Sequence, residues 1–352
     1  MPGPGAQSQA PAPTSGLSRR GARGASRYTS VRDTVYGPLA ANGLSVSMGG
    51  SRPMHGEPMS SEERDIFEKP SSAPVHQTTP YFNQARDDDP PQVDLHSHLV
   101  PAVDDGAQDE AMALAMLRVA AADGTRIIAA TPHADGSRPA TIPDAVRRLN
   151  ELAREAEIPI QVVAGCEYKL SRYLGASYKQ GRLITLNGTP YVLVELPDWN
   201  EWPSWVPKSI AALLEDGLWP VFAHPERHPP VQRHPELVLE AIQAGALMQL
   251  NAGSLLGRHG RDAQRVAALL LRARAIHLIA SDSHHPEERP PILSVAFERT
   301  AALVGEDYTH WMRRTAAKVI LGEPVEVPEP EPDILHAGDS WLERLRDWLA
   351  AP

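Results

Sequence analysis

A series of short apolar runs in this chain ends in His, Asp or Glu, and the first ends in a cluster of them. The segments are Asp94-Leu95-His96-Ser97-His98 with Asp104-Asp105-Gly106 close behind, Thr131-Pro132-His133, Gly165-Cys166-Glu167, Val194-Glu195, Ala223-His224-Pro225-Glu226-Arg227 and Ser281-Asp282-Ser283-His284. Ionisable groups at the ends of core segments carry a large desolvation cost unless something compensates them. A bound cation is the direct compensation, and carboxylates with imidazoles but no thiolate suit Mn, Fe, Zn or Mg. Any one of these residues alone is better explained as a hydrogen-bonding or ion-pairing group. Their recurrence at successive run ends asks for a common cause.

The elements that must position them follow from the pattern after Val93. Apolar runs of strand length alternate with amphipathic stretches of helix length, the pattern of repeated βα units. Strands are expected near 92–96, 126–131, 160–165, 190–195, 219–223, 246–250 and 276–281. Helices are expected over 108–122, 141–156, 204–216, 234–244, 262–273 and 290–304, with Gly124, Gly217 and Gly245 just past three of them, where C-terminal caps sit. Such a succession predicts a parallel (β/α)7 barrel rather than an open two-domain sheet. In a parallel barrel the chemistry sits at the carboxyl ends of the strands, where every candidate ligand falls. A His-x-His pair on an extended strand sends both imidazoles to one side, as does Asp282-x-His284.

The ends of the chain have a different texture. Residues 1–90 are rich in Gly, Pro, Ser, Ala and Arg without strand or helix period, and are expected to be a disordered extension, with Met54 or Met59 as alternative starts. Residues 91–323 form the expected catalytic barrel, closed by a helix over 307–321. Residues 324–352 read as a proline and acidic linker followed by a short helical tail. In that tail Trp341, Leu342, Leu345, Trp348 and Leu349 share one face, which docks back onto the barrel or, alternatively, serves a partner or a homo-oligomer.

At 352 residues with 42% hydrophobic composition, the chain has material for a barrel-sized core. Its formal net charge of −10 argues against nucleic acid or an anionic membrane as the main partner. The single cysteine, Cys166, excludes a disulfide framework within one chain. No apolar run is long enough for a spanning helix, and Arg19-Arg20 lack the apolar region of an export signal, so a cytoplasmic protein is expected.

Taken together, these motifs resemble the PHP (polymerase and histidinol phosphatase) family, and within it the bacterial capsular and exopolysaccharide tyrosine-phosphatase branch. The likeness is carried by Asp94-Leu95-His96-Ser97-His98 through Asp104-Asp105-Gly106, by Ala223-His224-Pro225-Glu226-Arg227, by Gln249-Leu250-Asn251-Ala252-Gly253-Ser254, and by Ser281 to Pro291 with Arg289-Pro290-Pro291. The resemblance implies a distorted seven-stranded barrel over about 92–323 with three divalent ions, Mn first, the same ligands also accepting Fe, Zn, Co or Mg. It assigns His96, His98, Glu167 and Asp282 to one ion, Glu167, Glu195 and His224 to a second, and Asp105, His133 and His284 to the third. It implies hydrolysis of phosphotyrosine by metal-activated water, on a tyrosine kinase of polysaccharide assembly. A small-molecule phosphoesterase such as histidinol phosphatase is the alternative, and a binding module with a vestigial site is disfavoured because no ligand position is missing.

For such a reaction Arg227 and Arg289 are the candidates to clamp the phosphoryl oxygens. Asn251 is a candidate for water, substrate or turn hydrogen bonding. Trp199, Trp202 and Trp205 could stack on a substrate ring, or pack over the barrel rim. A rival motif, Cys166-x5-Arg172, has the spacing of thiol-based tyrosine phosphatases. Its intervening Glu167-Tyr168-Lys169-Leu170-Ser171 has no glycine to cradle phosphate and opens with an anion, so the thiol mechanism is not expected.

Overall fold

Most strands form where the sequence supplies short apolar runs, and the paired strands all run parallel. The structure, a computed structural model, describes residues 90–134, 139–197 and 200–336. The elements in order are β1 (Gln92–Ser97), α1 (Glu110–Ala122), β2 (Thr125–Ala130), α2 (Ile142–Glu155), β3 (Gln161–Ala164), β4 (Glu167–Lys169) and α3 (Leu174–Lys179). Then come β5 (Tyr191–Glu195), α4 (Val206–Glu215), β6 (Trp219–Ala223), α5 (Pro229–Arg233), α6 (Leu237–Gln243), β7 (Leu247–Asn251) and α7 (Ala252–Leu255). The chain continues through α8 (Arg261–Arg272), β8 (Leu278–Ala280), α9 (Ser294–Val304), α10 (Glu306–Leu321) and α11 (Pro332–His336). The expected extension, the Trp-bearing tail and Trp199 lie outside the described residues. Among the described residues, no helix is long and apolar enough to cross a membrane.

The strand count differs from the expected seven. Among the described residues, eight strands form two parallel sheets, β1-β2-β3 and β4-β5-β6-β7-β8. The extra strand is β4, which lies just beyond the third expected run, across Gly165-Cys166. A Cβ at Gly165 would lie 2.8 Å from Thr131 Cγ2 and 2.9 Å from Leu186 Cδ2, so a larger residue there would force both side chains to shift. Before it, β3 pairs with β2; after it, β4 pairs with β5. Backbone bonds join the sheets at both seams. Isolated parallel bridges link His133 with Glu167 and Ser97 with Ser283. His98 N donates to Ser283 O at 2.8 Å, and Asp282 N to His96 O at 2.9 Å.

The period of two sorts the apolar side chains into two sets. Val93, Leu95, Ile127, Ala129, Val163, Leu193, Val221, Leu247 and Leu278 pack together between the strands, closed at one end by Ala316, Val319 and Ile320 of α10. Ile128, Val162, Val194, Phe222, Leu250 and Ile279 face the outer helices. Gly124, Gly217 and Gly245 follow α1, α4 and α6 with positive φ, as helix stops require. Asp123 ties the first helix to the last part of the barrel: its carboxylate accepts from the backbone of Leu293 and Ser294, capping α9 from a distance. The acidic proline stretch after Glu323 lies against the barrel, with Val325 and Leu335 buried and Glu331 N donating to Ala273 O.

Candidate metal centre

Every candidate ligand sits where a strand ends or in the loop after it. A register shift in β1 between Asp94 and Ser97 accompanies the placement of His96 and His98, whose Nε2 atoms stand 3.2 Å apart. Their side chains are fully buried. Glu167 begins β4, Glu195 ends β5, and His133, His224, Asp282 and His284 follow β2, β6 and β8. Asp105 reaches in from the loop after β1. A side chain at Gly106 would lie 2.2 Å from His98 O, so the turn carrying Asp104 and Asp105 closes on β1 only with glycine there. His224 and Asp282 hold φ of 32° and 50°, left-handed values that cost other residues roughly 1–3 kcal/mol and gather at functional sites.

The gathered atoms form four overlapping groups: His98, Asp105, His133 and His284; His96, Glu167 and His224; His96, His98 and Asp282; His133, Glu167 and Glu195. Within each group the ligand atoms lie within 4.8 Å of one another. The structure brings together all nine residues that the sequence marks. The partition differs in detail from the one the resemblance implies. His98 stands with the Asp105 group as well as with Asp282, and His224 Nε2 lies 3.0 Å from Glu167 Oε1 but 4.0 Å from Glu195 Oε2.

The donor set fits a cation. Glu167 Oε2 is buried without a hydrogen bond, although His133 Nδ1, His96 Nε2 and His98 Nε2 stand 3.0, 3.3 and 3.6 Å away. Lone pairs converging at such distances are the arrangement that divalent ions compensate. Without an ion, protons carry part of that load. Burial disfavours a charged His96, but Glu167 and Asp282 outweigh it and push its pKa up to about 10. Burial likewise opposes a charged His133, and Glu167 and Glu195 raise its pKa to about 9. Burial would raise the carboxyls of Glu167 and Asp282, yet the surrounding imidazoles hold both well below the usual range. Glu195 goes the other way, pushed up by burial and by the Glu167 charge.

A surrounding layer fixes the ligands, and part of it escaped the sequence reading. Asp104, adjacent to the marked Asp105, accepts from His98 Nδ1 at 2.7 Å and from the backbone of His133 at 3.1 Å and Gly106 at 3.0 Å. Gln249 Oε1 lies 3.0 Å from His96 Nδ1. Each contact leaves the Nε2 of its histidine for the centre. The paired acids of Asp104-Asp105 were the signal for the first; Gln249 stands in a motif that carries the family likeness, but nothing in that motif marked it as a partner of His96. Asn251 does two things: Nδ2 donates to Asp282 Oδ2 at 2.7 Å, and Oδ1 accepts from Gly253 N at the start of α7. Glu226, fully buried, accepts from Asn251 N at 3.2 Å, so it supports Asn251 from behind. His277 is a core residue whose Nδ1 accepts from Met248 N.

Arg227 and Arg289 converge on one carboxylate. Arg227 Nη1 and Arg289 Nη2 lie 2.6 and 2.9 Å from Asp282 Oδ2. Trp202 packs on Phe222 and donates to Glu240 Oε2 at 3.1 Å, a rim-packing role. Cys166 is buried against Pro132 O while Arg172 is exposed, so the two do not form a phosphate loop.

This arrangement has relatives. Residues 92–322 match the model of the capsular polysaccharide synthesis family CpsB/CapC. The chain belongs to the CpsB/CapC family. It is 30% identical over 244 residues to the tyrosine-protein phosphatase YwqE of Bacillus subtilis, covering 68% of this chain and 96% of that protein. It is 29% identical over 239 residues to the tyrosine-protein phosphatase CpsB of Streptococcus agalactiae, covering 65% and 98%. Its fold matches a chain from the crystal structures of Bacillus subtilis YwqE and Streptococcus pneumoniae CpsB, described as unique metal-dependent tyrosine phosphatases. That match has a TM-score of 0.63 at 29% identity and covers 68% of this chain and 98% of that one. The CpsB/CapC match spans the whole strand-end cluster and stops at Gly322, where α10 ends.

Proposed function

We propose that the chain is a metal-dependent protein-tyrosine phosphatase acting on a tyrosine kinase of capsular or exopolysaccharide assembly in the cytoplasm. The observation that carries this reading is the convergence of imidazole and carboxylate atoms around the buried, unbonded Glu167 Oε2, in a chain of the CpsB/CapC family. The ligands would be His96, His98, Asp105, His133, Glu167, Glu195, His224, Asp282 and His284, holding three divalent ions with Mn as first choice. Those ions would supply an activated water and Lewis-acid charge for cleavage of a phosphomonoester.

The chain's own residues do the rest. Arg227 and Arg289 present guanidinium donors beside the cluster, each about a third exposed, and so accessible to non-bridging oxygens of the substrate. Asp282 holds both forks in place before substrate arrives, which lowers the ordering cost of binding. Asp104 and Gln249 fix the rings of His98 and His96, so the ligand shell does not rearrange during turnover. A phenol has a pKa near 10, so departure of tyrosine needs no dedicated acid.

Turnover of a phosphotyrosine peptide and of histidinol phosphate should be compared in Mn-loaded protein before and after chelation. The phosphotyrosine peptide should be the better substrate, and chelator should abolish its turnover while the fold persists by circular dichroism. Faster hydrolysis of histidinol phosphate, or turnover indifferent to chelator, would overturn the proposal.

A further inference from the structure

The two arginines meet the cluster at Asp282, and a third cation meets it at Glu195. Glu167 and Lys169 are two residues apart on β4, so the pleat sends both side chains to the same face. Lys169 pairs in register with Glu195 on β5, and Lys169 Nζ lies 3.3 Å from Glu195 Oε1. The lysine is 41% exposed and the glutamate 8%, so the ammonium stands at the rim and reaches inward.

A continuous series of contacts separates it from the arginines. Asp282 Oδ2 meets Arg227 and Arg289; Asp282 Oδ1 lies 3.3 Å from His98 Nε2, and that atom 3.6 Å from Glu167 Oε2. Glu167 Oε2 lies 3.0 Å from His133 Nδ1, which is 3.6 Å from Glu195 Oε1, the atom that Lys169 holds. The guanidinium pair therefore meets the cluster through Asp282, and the ammonium meets it through Glu195. A phosphomonoester has three non-bridging oxygens and two negative charges. A third donor, held by a different carboxylate, can meet an oxygen that the two arginines do not.

We propose that Lys169 is a further phosphate-binding residue, donating to a phosphoryl oxygen from beside Glu195 while Arg227 and Arg289 donate from beside Asp282. The inference rests on the phosphatase reading above and extends it to a residue outside the ligand set. Lysine suits this place because its ammonium is a compact point charge on a flexible stem, able to leave Glu195 Oε1 for a substrate oxygen. The competing role is purely structural, with Lys169 neutralising Glu195 and nothing more.

The test uses the Mn-loaded full chain with Lys169→Met and Lys169→Arg. Orthophosphate binding is read by calorimetry, p-nitrophenyl phosphate hydrolysis by initial rates, and metal content by elemental analysis. Losing one charge-assisted hydrogen bond at a half-exposed site should weaken orthophosphate and raise KM in parallel by about tenfold in Lys169→Met. The kcat and metal content should hold, and Lys169→Arg should recover most of the binding. Unchanged orthophosphate affinity in Lys169→Met would overturn the proposal. So would a loss of metal in step with affinity, because Lys169 would then act through Glu195. If the unsubstituted protein hydrolyses no aryl phosphate while orthophosphate binding still depends on Lys169, the phosphatase reading fails and the anion contact stands.

Discussion

Arg227 Nη1 lies 2.6 Å from Asp282 Oδ2, on the oxygen turned away from the imidazoles. The other oxygen, Oδ1, faces His98 Nε2 at 3.3 Å and His96 Nε2 at 3.4 Å. One carboxylate thus joins the ligand shell to the anion-binding arginines, and Arg289 shares the same Oδ2 at 2.9 Å. Because two guanidinium groups use one acceptor, removing either leaves Asp282 still paired.

Arg289→Ala should therefore leave metal content intact and weaken substrate binding. Loss of a bidentate charged contact should raise KM for an aryl phosphate by roughly 10–100-fold. Arg289→Lys should recover only part of this, since an ammonium cannot reproduce the fork. Steady-state kinetics with parallel elemental analysis checks both points. A variant with normal KM, or one that loses metal, would remove Arg289 from the phosphate site.

His98 touches both the Asp282 side and the Asp105 side of the cluster, so its loss should not be confined to one group. His98→Ala should lose bound metal and turnover together, by at least tenfold in each. Unchanged turnover would disprove the site assignment.

Asp104 acts on the same ring from behind. Asp104→Asn should keep the fold but weaken metal affinity by about 10–100-fold, because the amide no longer fixes the His98 tautomer by accepting its Nδ1 proton with full charge. The informative measurement is a Mn titration of activity. Saturating Mn should restore most of kcat, whereas loss that persists at saturation would mean that Asp104 is needed for folding rather than for positioning.

The gathering of the nine strand-end residues was legible because charged groups seldom close core strands without a shared purpose, and because period and turn signals placed those ends. The seven expected runs are all strands. The eighth was not legible: Glu167-Tyr168-Lys169 carries no pattern of its own and is a strand by virtue of its pairing with β5. The expected helix over 234–244 is α6, which begins only at Leu237 because Pro235 disfavours helix at His234, and the short α5 before it was not expected. Adjacent acids posed another limit. Sequence could not say that Asp104 would turn inward onto His98 while Asp105, with a side chain 65% exposed, would reach His284 Nε2 at 3.3 Å. The arginines were visible as candidate clamps, but their common partner is a tertiary fact.

Cys166 provides a test of the excluded chemistry. Its Sγ is buried and faces Pro132 O at 3.2 Å, remote in character from an exposed nucleophile. Cys166→Ser should retain turnover within about threefold and lose at most roughly 1–2 kcal/mol of stability, the scale for a small polar change in a buried site. Abolished turnover with intact metal content would revive the thiol mechanism.

His228 gives the acid limb of stability a specific source. It is buried beside His224, with ring centroids 5.8 Å apart, and its Nε2 has no hydrogen-bond partner. Burial, reinforced by the charges of His224 and Arg227, pushes its pKa down from 6.5 to about 3. Between those values the unfolded chain binds a proton that the folded chain refuses, so acidification favours unfolding through this window. The contribution is absent above pH 6.5, grows as pH falls, and is complete near pH 3. At most one proton is involved, which sets a slope of about 1.4 kcal/mol per pH unit. In chelator-treated protein, urea unfolding from pH 7.5 down to 4.5 should show His228→Phe losing stability less steeply than the unsubstituted chain by up to that amount. The two curves should run parallel above pH 7, and parallel curves at all pH would show that His228 accepts its proton in the folded state.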